Sequence, residues 1–302
     1  MAAFDVPSQV GRFALVTGAN SGIGYQTSLA LARAGATVWL AGRDLAKIET
    51  ARETITRDIP FARTRALRLD LADLTSIAEA ARTLVSGGEP LDLLVNNAGV
   101  MAVPERRLTA DGFELTFGTN HLGHFALTGR LLPALLRPAR SRVVTVSAMA
   151  ARLRGITFDD PQSERDYAPM RAYAKSKLAN VIFTRELARR AAGTGLAAIA
   201  VHPGTSMTEI QRHTSRLLRI IADFAIERFI GHTPEQAVLP TLYAATRPDV
   251  KPGDFFAPTG RWELRGAPGP VSLPPAATDD TTAAALWHLS EQATGLRYEF
   301  AD

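Results

Sequence analysis

Tyr173 and Lys177 stand four residues apart in Tyr173-Ala-Lys-Ser-Lys177. On a helix that spacing brings both side chains to one face. A free phenol titrates near pH ~10, too high to exchange protons readily at neutral pH, and an adjacent ammonium stabilises the phenolate and lowers that value. The pair reads as a general acid/base, Tyr173, with Lys177 as its electrostatic activator. Lys175 lies two residues on and points to another face. Upstream, Ser147 ends the apolar run Arg142-Val-Val-Thr-Val146, where its hydroxyl suits an oxyanion-type donor to a carbonyl oxygen. A Tyr-x3-Lys pair is common on helix surfaces. Its place here, opening a helix some twenty residues beyond a strand that ends in Ser147, sets this one apart.

A second cluster is Thr17-Gly18-Ala19-Asn20-Ser21-Gly22-Ile23-Gly24, between a short apolar run and a helical pattern. A glycine-rich turn lets backbone approach a pyrophosphate, and the helix N-terminus adds N–H donors and a positive dipole end. Arg43 follows the second apolar run, where many dinucleotide-binding sheets place a carboxylate on the ribose 2′-OH. No acidic residue occurs in Thr37 to Arg43, and a guanidinium there binds a 2′-phosphate, which favours NADP(H) over NAD(H). The alternative is a solvated arginine at a helix start.

These residues need a frame, and the first two hundred positions supply one. Short apolar runs at Phe13–Thr17, Thr37–Ala41, Arg65–Leu69, Leu91–Val95, Arg142–Val146 and Ala197–Val201 alternate with helical patterns. Those patterns cover Ser21–Ala34, Leu45–Arg57 after a cap at Asp44, a segment after a cap at Asp73, Phe117–Leu136 and Arg171–Arg190. Strands apolar on both faces and alternating with helices predict an α/β fold with a doubly wound parallel sheet, a Rossmann fold. We expect one domain over 1–302: a cofactor-binding core at about 12–204, a substrate lid at about 205–232, and a C-terminal extension at about 248–302. Pro248 to Asp280, rich in Pro, Gly and Asp, reads as a surface connection before a last helix near Thr281–Ala293.

Composition narrows the class. The chain is 46% hydrophobic and 21% charged, which excludes disordered and fibrous classes. Zero cysteines exclude a disulfide framework, a thiolate nucleophile and cysteine-ligated metal. The net charge of +4 is scattered, not clustered, so nucleic acid is not an expected partner. Met1 to Gly11 shows neither a basic n-region nor an apolar h-region, and no apolar run is long enough to span a bilayer; a cytoplasmic protein is expected.

The turn Thr17-Gly18-x3-Gly22-x-Gly24 resembles the fingerprint of the short-chain dehydrogenase/reductase family in its single-domain form. The phrases Asn120-His-Leu-Gly-His-Phe125, Tyr173-x3-Lys177-Leu178-Ala179-Asn180, Thr233-Pro-Glu-Gln236 and Leu286-Trp-His-Leu-Ser-Glu-Gln292 are similar to its retinol dehydrogenase and protochlorophyllide reductase-like branch. The resemblance implies a catalytic tetrad of Asn120, Ser147, Tyr173 and Lys177. In it Lys177 also donates to the nicotinamide ribose, and Asn120 kinks its helix and holds a water that relays protons to the lysine. It implies that Gly18, Asn20, Ser21, Gly22, Ile23 and Gly24 hold the diphosphate. Asp70 and Leu71 would line the adenine pocket, unless Asp70 only caps the next turn. Asn97, Ala98 and Gly99, with Asn96, would be either a cofactor wall or a staple between strands. In His202-Pro203-Gly204 and Thr208, Pro203, Gly204 and Thr208 would cover the nicotinamide, unless the segment is a plain turn with a helix cap. His121 and His124 form an i,i+3 pair without a third ligand at motif spacing, and are read as structural.

The lid carries Leu217, Leu218, Ile220, Ile221, Phe224, Ile226, Phe229 and Ile230 with Arg212, Arg216, Arg219 and Arg228 between them. That pattern suits a hydrophobic carbonyl or alcohol substrate, a surface resting on an anionic membrane, or packing against the body or a partner copy. Family members usually pair through long helices, which implies a homodimer or homotetramer. The expected activity is NADP(H)-dependent hydride transfer on a lipophilic substrate. The alternatives are a non-catalytic NADP(H) sensor, which would typically have lost Tyr or Lys, and a reductase of a ring double bond, which would rely on cysteines that this chain lacks.

Overall fold

The structure is a computed structural model, and the described residues are 5–153, 156, 159–204 and 234–300. The six apolar runs fold as β1 (Phe13–Thr17), β2 (Thr37–Gly42), β3 (Arg63–Arg68), β4 (Leu93–Asn96), β5 (Ser141–Val146) and β6 (Leu196–Val201). Together with β7 (Phe255–Pro258) and β8 (Pro268–Pro270) they make one sheet in the order β3-β2-β1-β4-β5-β6-β7-β8. All neighbours are parallel except the β7–β8 pair. Strand order reverses between β1 and β4, and ligands in such sheets bind outside the carboxyl ends at that point.

Side-chain alternation splits the core into two layers. Val16, Val38 and Val95 face one side with Leu31, Ile48 and Ile55 from α1 (Gly22–Arg33) and α2 (Leu45–Asp58). Leu15, Leu94 and Val143 face the other, with Ile77 from α3 (Leu74–Ser86). Asp44 and Asp73 cap α2 and α3 by accepting first-turn N–H groups, as their side chains predicted.

Two expectations need correction. The predicted helix Phe117–Leu136 is three pieces: a single turn, α4 (Leu115–Phe117), a π turn over Gly118–Leu122, and α5 (Gly123–Leu135). Glu114 caps α4 through the N–H groups of Thr116 at 2.8 Å and Phe117 at 2.7 Å, so the helix starts earlier than the apolar pattern does. The stretch Pro248–Asp280 is not a surface connection alone, because it supplies β7 and β8. Phe255 and Phe256 pair with Ala200 and Val201. Strand β8 has prolines at two of its three positions; lacking N–H groups, they are tolerated at a sheet edge, which is where β8 lies.

Beyond the sheet come α6 (Pro169–Arg190), α7 (Pro234–Ala237), α8 (Leu239–Thr246) and α9 (Asp280–Thr294). Trp287 of α9 is buried, stacked on Phe183 of α6 at 5.9 Å and edge-on to Phe125 of α5 at 5.1 Å. Tyr298 closes the cluster by donating to the Phe125 carbonyl at 2.6 Å. Helix α9 and Tyr298 thus pack on α5 and on α6, the helix that carries Tyr173 and Lys177. Trp287→Ala should lower stability by about 3–5 kcal/mol, the usual cost of emptying a large aromatic site. Thermal unfolding checks this, with nucleotide affinity expected to hold. The predicted lid 205–232 and Thr208 lie outside the described residues. Among the described residues no helix is long and apolar enough to cross a membrane.

Candidate active site

The glycine turn shows why it needs glycines. Gly18 and Gly22 adopt φ of +66° and +56°, the left-handed region where a Cβ is strained. A Cβ on Gly24 would stand 2.3 Å from the Gly18 carbonyl oxygen and 2.6 Å from Asn97 Nδ2. Helix α1 therefore packs close under the turn. Asp44, Asp73 and Asp279 cap their helices, whereas Ser21 makes no side-chain cap to α1. The first-turn N–H groups of α1 are left as donors for an anion, and with Asn20 and Ser21 beside them they fit a dinucleotide diphosphate.

Asn97 ties β4 to β1. Its side-chain amide donates to the Thr17 carbonyl at 2.8 Å, and the N–H groups of Asn97 and Ala98 donate to the Thr17 hydroxyl at 2.9 and 3.0 Å. The staple role of this segment is thus visible in its bonds. His124 links this knot to the π turn. Its Nδ1 lies 2.9 Å from the Asn120 carbonyl, which can only accept, so Nδ1 carries the proton and Nε2 accepts from the Thr17 hydroxyl at 3.0 Å. Burial pushes the imidazole down to about 4, in keeping with a neutral ring.

Asn120 sits inside the π turn, fully buried, with Gly123 N–H reaching back to Gly118. Its amide donates to the Val100 carbonyl and to Ser176 Oγ, both at 2.9 Å, and accepts from Val100 N–H at 2.8 Å. A Cβ on Gly99 would lie 3.0 Å from Asn120 Oδ1 and 3.4 Å from Lys177 Nζ. Asn120, Gly99 and Lys177 therefore meet at one point.

Helix α6 brings Tyr173 and Lys177 to the same face, and the ammonium lies 5.8 Å from the phenol ring centroid. Both are buried. Lys177 Nζ donates to the Val146 carbonyl at 3.0 Å, at the end of β5. Burial among neutral groups lowers the lysine to about 8. Burial also raises the Tyr173 phenol above its ordinary value, the reverse of the lowering expected from the lysine. Desolvation of the phenolate outweighs an ammonium already committed to a carbonyl. Ser147 lies beside them, but its hydroxyl donates to the Lys177 carbonyl at 2.7 Å.

The remaining predicted residues fall around the carboxyl ends of the strands. Arg43 is exposed just past β2, and among the described residues no ion pair holds it. Lys47, one turn into α2, lines a cleft with Asn20, Ser21, Tyr25, Thr50 and Thr54. Sequence reading overlooked Lys47, whose ammonium pairs with Asp44 at 3.3 Å at the edge of this cleft. Asp70 accepts from Ala72 N–H at 2.9 Å, a local turn bond, and Leu71 is buried against Gly123. Gly204, at φ +76°, follows a network that sequence reading also missed. Buried His202 accepts the Gly204 N–H on Nδ1 at 3.1 Å and donates from Nε2 to Glu263 at 2.8 Å, and Arg152 grips the same carboxylate at 2.9 and 3.0 Å. The three side chains lie far apart in sequence, so no local spacing announces them. His121 bonds Ser290 at 2.9 Å, and among the described residues no cluster of metal-ligating side chains occurs.

Known proteins are similar to this chain in sequence and in fold. The short chain dehydrogenase family profile matches residues 12–217. Human retinol dehydrogenase 12 is 40% identical over 295 residues, 96% of this chain and 88% of that protein. A crystal structure of an uncharacterised protein from Mycobacterium paratuberculosis superposes with a TM-score of 0.82 at 42% identity, covering 99% of each chain. A protein from Beutenbergia cavernae described as an NAD(P)-dependent gluconate 5-dehydrogenase, with bound NADP, has a TM-score of 0.62 at 32% identity over 79% of this chain and 91% of that one. With its glycine turn, switch-point sheet and Tyr-x3-Lys helix, the chain is an oxidoreductase of the short-chain dehydrogenase/reductase family, in the retinol dehydrogenase-like branch.

Proposed function

We propose that the protein uses NADP(H) and transfers hydride between the nicotinamide and the carbonyl or alcohol carbon of a lipophilic substrate. The convergence of Tyr173, Lys177 and Asn120 beside the glycine turn carries this reading. The nicotinamide, when bound, supplies or takes up the hydride. Tyr173, kept protonated by burial, delivers the proton to the substrate oxygen in the reductive direction. Lys177 sits on the same helix face, where its positive charge stabilises the phenolate left behind. Asn120 holds Val100 and Ser176, and so fixes the wall beside the lysine. Gly18 to Gly24 and the first turn of α1 would hold the diphosphate. Asp70, Leu71, Asn97, Ala98 and Gly99 would form the wall on the adenine and ribose side, and Pro203, Gly204 and Thr208 the cover over the nicotinamide.

Arg43 supports NADP(H), because an exposed guanidinium after a strand with no acidic residue suits a 2′-phosphate; Lys47 nearby is paired with Asp44 at 3.3 Å. The retinol dehydrogenases similar to this chain, and the apolar sequence of 205–232, support a lipophilic substrate. The test is absorbance at the reduced-nicotinamide band, with NADPH and NADH offered against lipophilic aldehydes and ketones, retinal among them. NADPH should be oxidised in preference, and Arg43→Glu should shift the preference toward NADH by at least about tenfold, since a charge-assisted bond contributes about 1.5–3 kcal/mol. No oxidation of either nucleotide across the panel sinks the reading.

A further inference from the structure

Ser147, next after β5, is the hydroxyl that the sequence offers to assist Tyr173, yet its own bonds direct it elsewhere. Its N–H continues the β5–β6 ladder to the Val201 carbonyl at 2.7 Å. Its side chain is 2% exposed, and its hydroxyl donates at 2.7 Å to the Lys177 carbonyl, in the body of the 22-residue helix α6. A serine hydroxyl has one proton to give. Given to that buried carbonyl, it is directed away from a substrate oxygen.

The same bond does something else. Lys177 is gripped at both ends by consecutive residues of the β5 end: Val146 accepts from its ammonium at 3.0 Å, and Ser147 donates to its carbonyl. Backbone and side chain of the lysine are thus docked on one strand.

The next residue, Ala148, is still extended, at φ −154° and ψ 162°. Successive side chains of an extended segment point to opposite faces. Ser147 is buried, whereas Ala148 is half-exposed beyond the carboxyl end of β5, where this fold places its ligands. Met149, Ala150 and Ala151, which follow in a 3-10 turn, carry no side-chain donor either.

We propose that Ser147 is a positioning residue that docks Lys177, and that a methyl, Ala148, stands where a second donor to the substrate oxygen would be, leaving that oxygen to the Tyr173 hydroxyl. The inference rests on Tyr173 being the proton donor. It makes the enzyme one that works with an incomplete oxyanion site, which a single hydroxyl added at position 148 would extend.

The experiment compares the parent chain with S147A, S147T, A148S and Y173F, following NADPH oxidation by a lipophilic aldehyde, NADPH binding by fluorescence, and thermal stability against pH. A148S should raise kcat by about tenfold or more at unchanged NADPH affinity, since one oxyanion donor is typically worth about 10²–10³ in rate. S147A should lower kcat only a few-fold. It should also move the lysine-dependent limb of the stability–pH curve upward, because an undocked amine is more hydrated, and S147T should restore that limb. A loss of a hundredfold or more in S147A with the limb unmoved, or an A148S enzyme no faster than the parent, overturns the proposal. Y173F is the separate control: full turnover in that variant refutes the assignment of Tyr173, whereas the S147A stability limb still reports on the docking of Lys177.

Discussion

Tyr173→Phe is expected to cut turnover by about 10²–10⁴, the usual worth of a positioned general acid/base, while NADPH still binds. The substitution removes one oxygen from a buried ring and keeps the packing shape, so the fold has little reason to change. Helix α6 continues to present Lys177, and the glycine turn lies on the opposite side of the switch point between β1 and β4. Binding and chemistry therefore separate: nucleotide affinity should stay within a few-fold, whereas a single-turnover hydride transfer should slow by the full factor. The raised phenol adds a pH signature. A group whose ordinary value is near 10 and which burial pushes higher stays protonated through neutral pH, so the proton donor for reduction is not itself lost on mild alkalinisation. Equal single-turnover rates in the variant and the parent would remove Tyr173 from the mechanism.

Much of the fold and of the site is legible in the amino-acid sequence, and the reasons are local. The glycine turn, the β-strands through β6 and the Tyr-x3-Lys pair are each written in contiguous residues, where period and spacing act directly. Strands β7 and β8 escape because their signals conflict: Phe255–Pro258 is four residues long, and Pro268–Pro270 breaks the strand rule that only an edge position relaxes. The π turn escapes because an apolar helical pattern does not reveal one widened turn. The network of His202, Glu263 and Arg152 escapes for a different reason, being assembled from three loops. Ser147 shows the finer limit. Its type and its place at the end of β5 are legible, but which face its hydroxyl takes depends on a carbonyl thirty residues later. Burial likewise reverses the expected direction of the phenol, a matter of surroundings that spacing does not encode.

Lys177→Met should abolish turnover and stabilise the protein. The lysine titrates at 10.5 in an open chain and at about 8 in the fold, so burial opposes its charge. The sign follows from proton counts. Below pH 8 both states hold the proton, and the fold bears the whole penalty, on the order of 3 kcal/mol at about 1.4 kcal/mol for each pH unit of displacement. Between pH 8 and 10.5 the unfolded chain keeps the proton and the fold sheds it, so the penalty is relieved as pH rises. Methionine has similar length and no charge to desolvate. The hydrogen bond from Nζ to the Val146 carbonyl is lost, but that carbonyl keeps Asn180 Nδ2 as a donor at 3.3 Å. A net gain of about 1–3 kcal/mol at pH 7 remains, which for a chain of this size raises the thermal midpoint by several degrees. The gain should shrink steadily above pH 8, because only the parent protein has a proton to release there. Turnover in the reductive direction should fall in the parent over the same range, as the charge that stabilises the Tyr173 phenolate is lost. A methionine variant that melts below the parent at pH 7 would mean that the ammonium is held by a partner worth more than its desolvation. Lys177 would then be part of the fold's stability and not a charge kept in place against it for the chemistry.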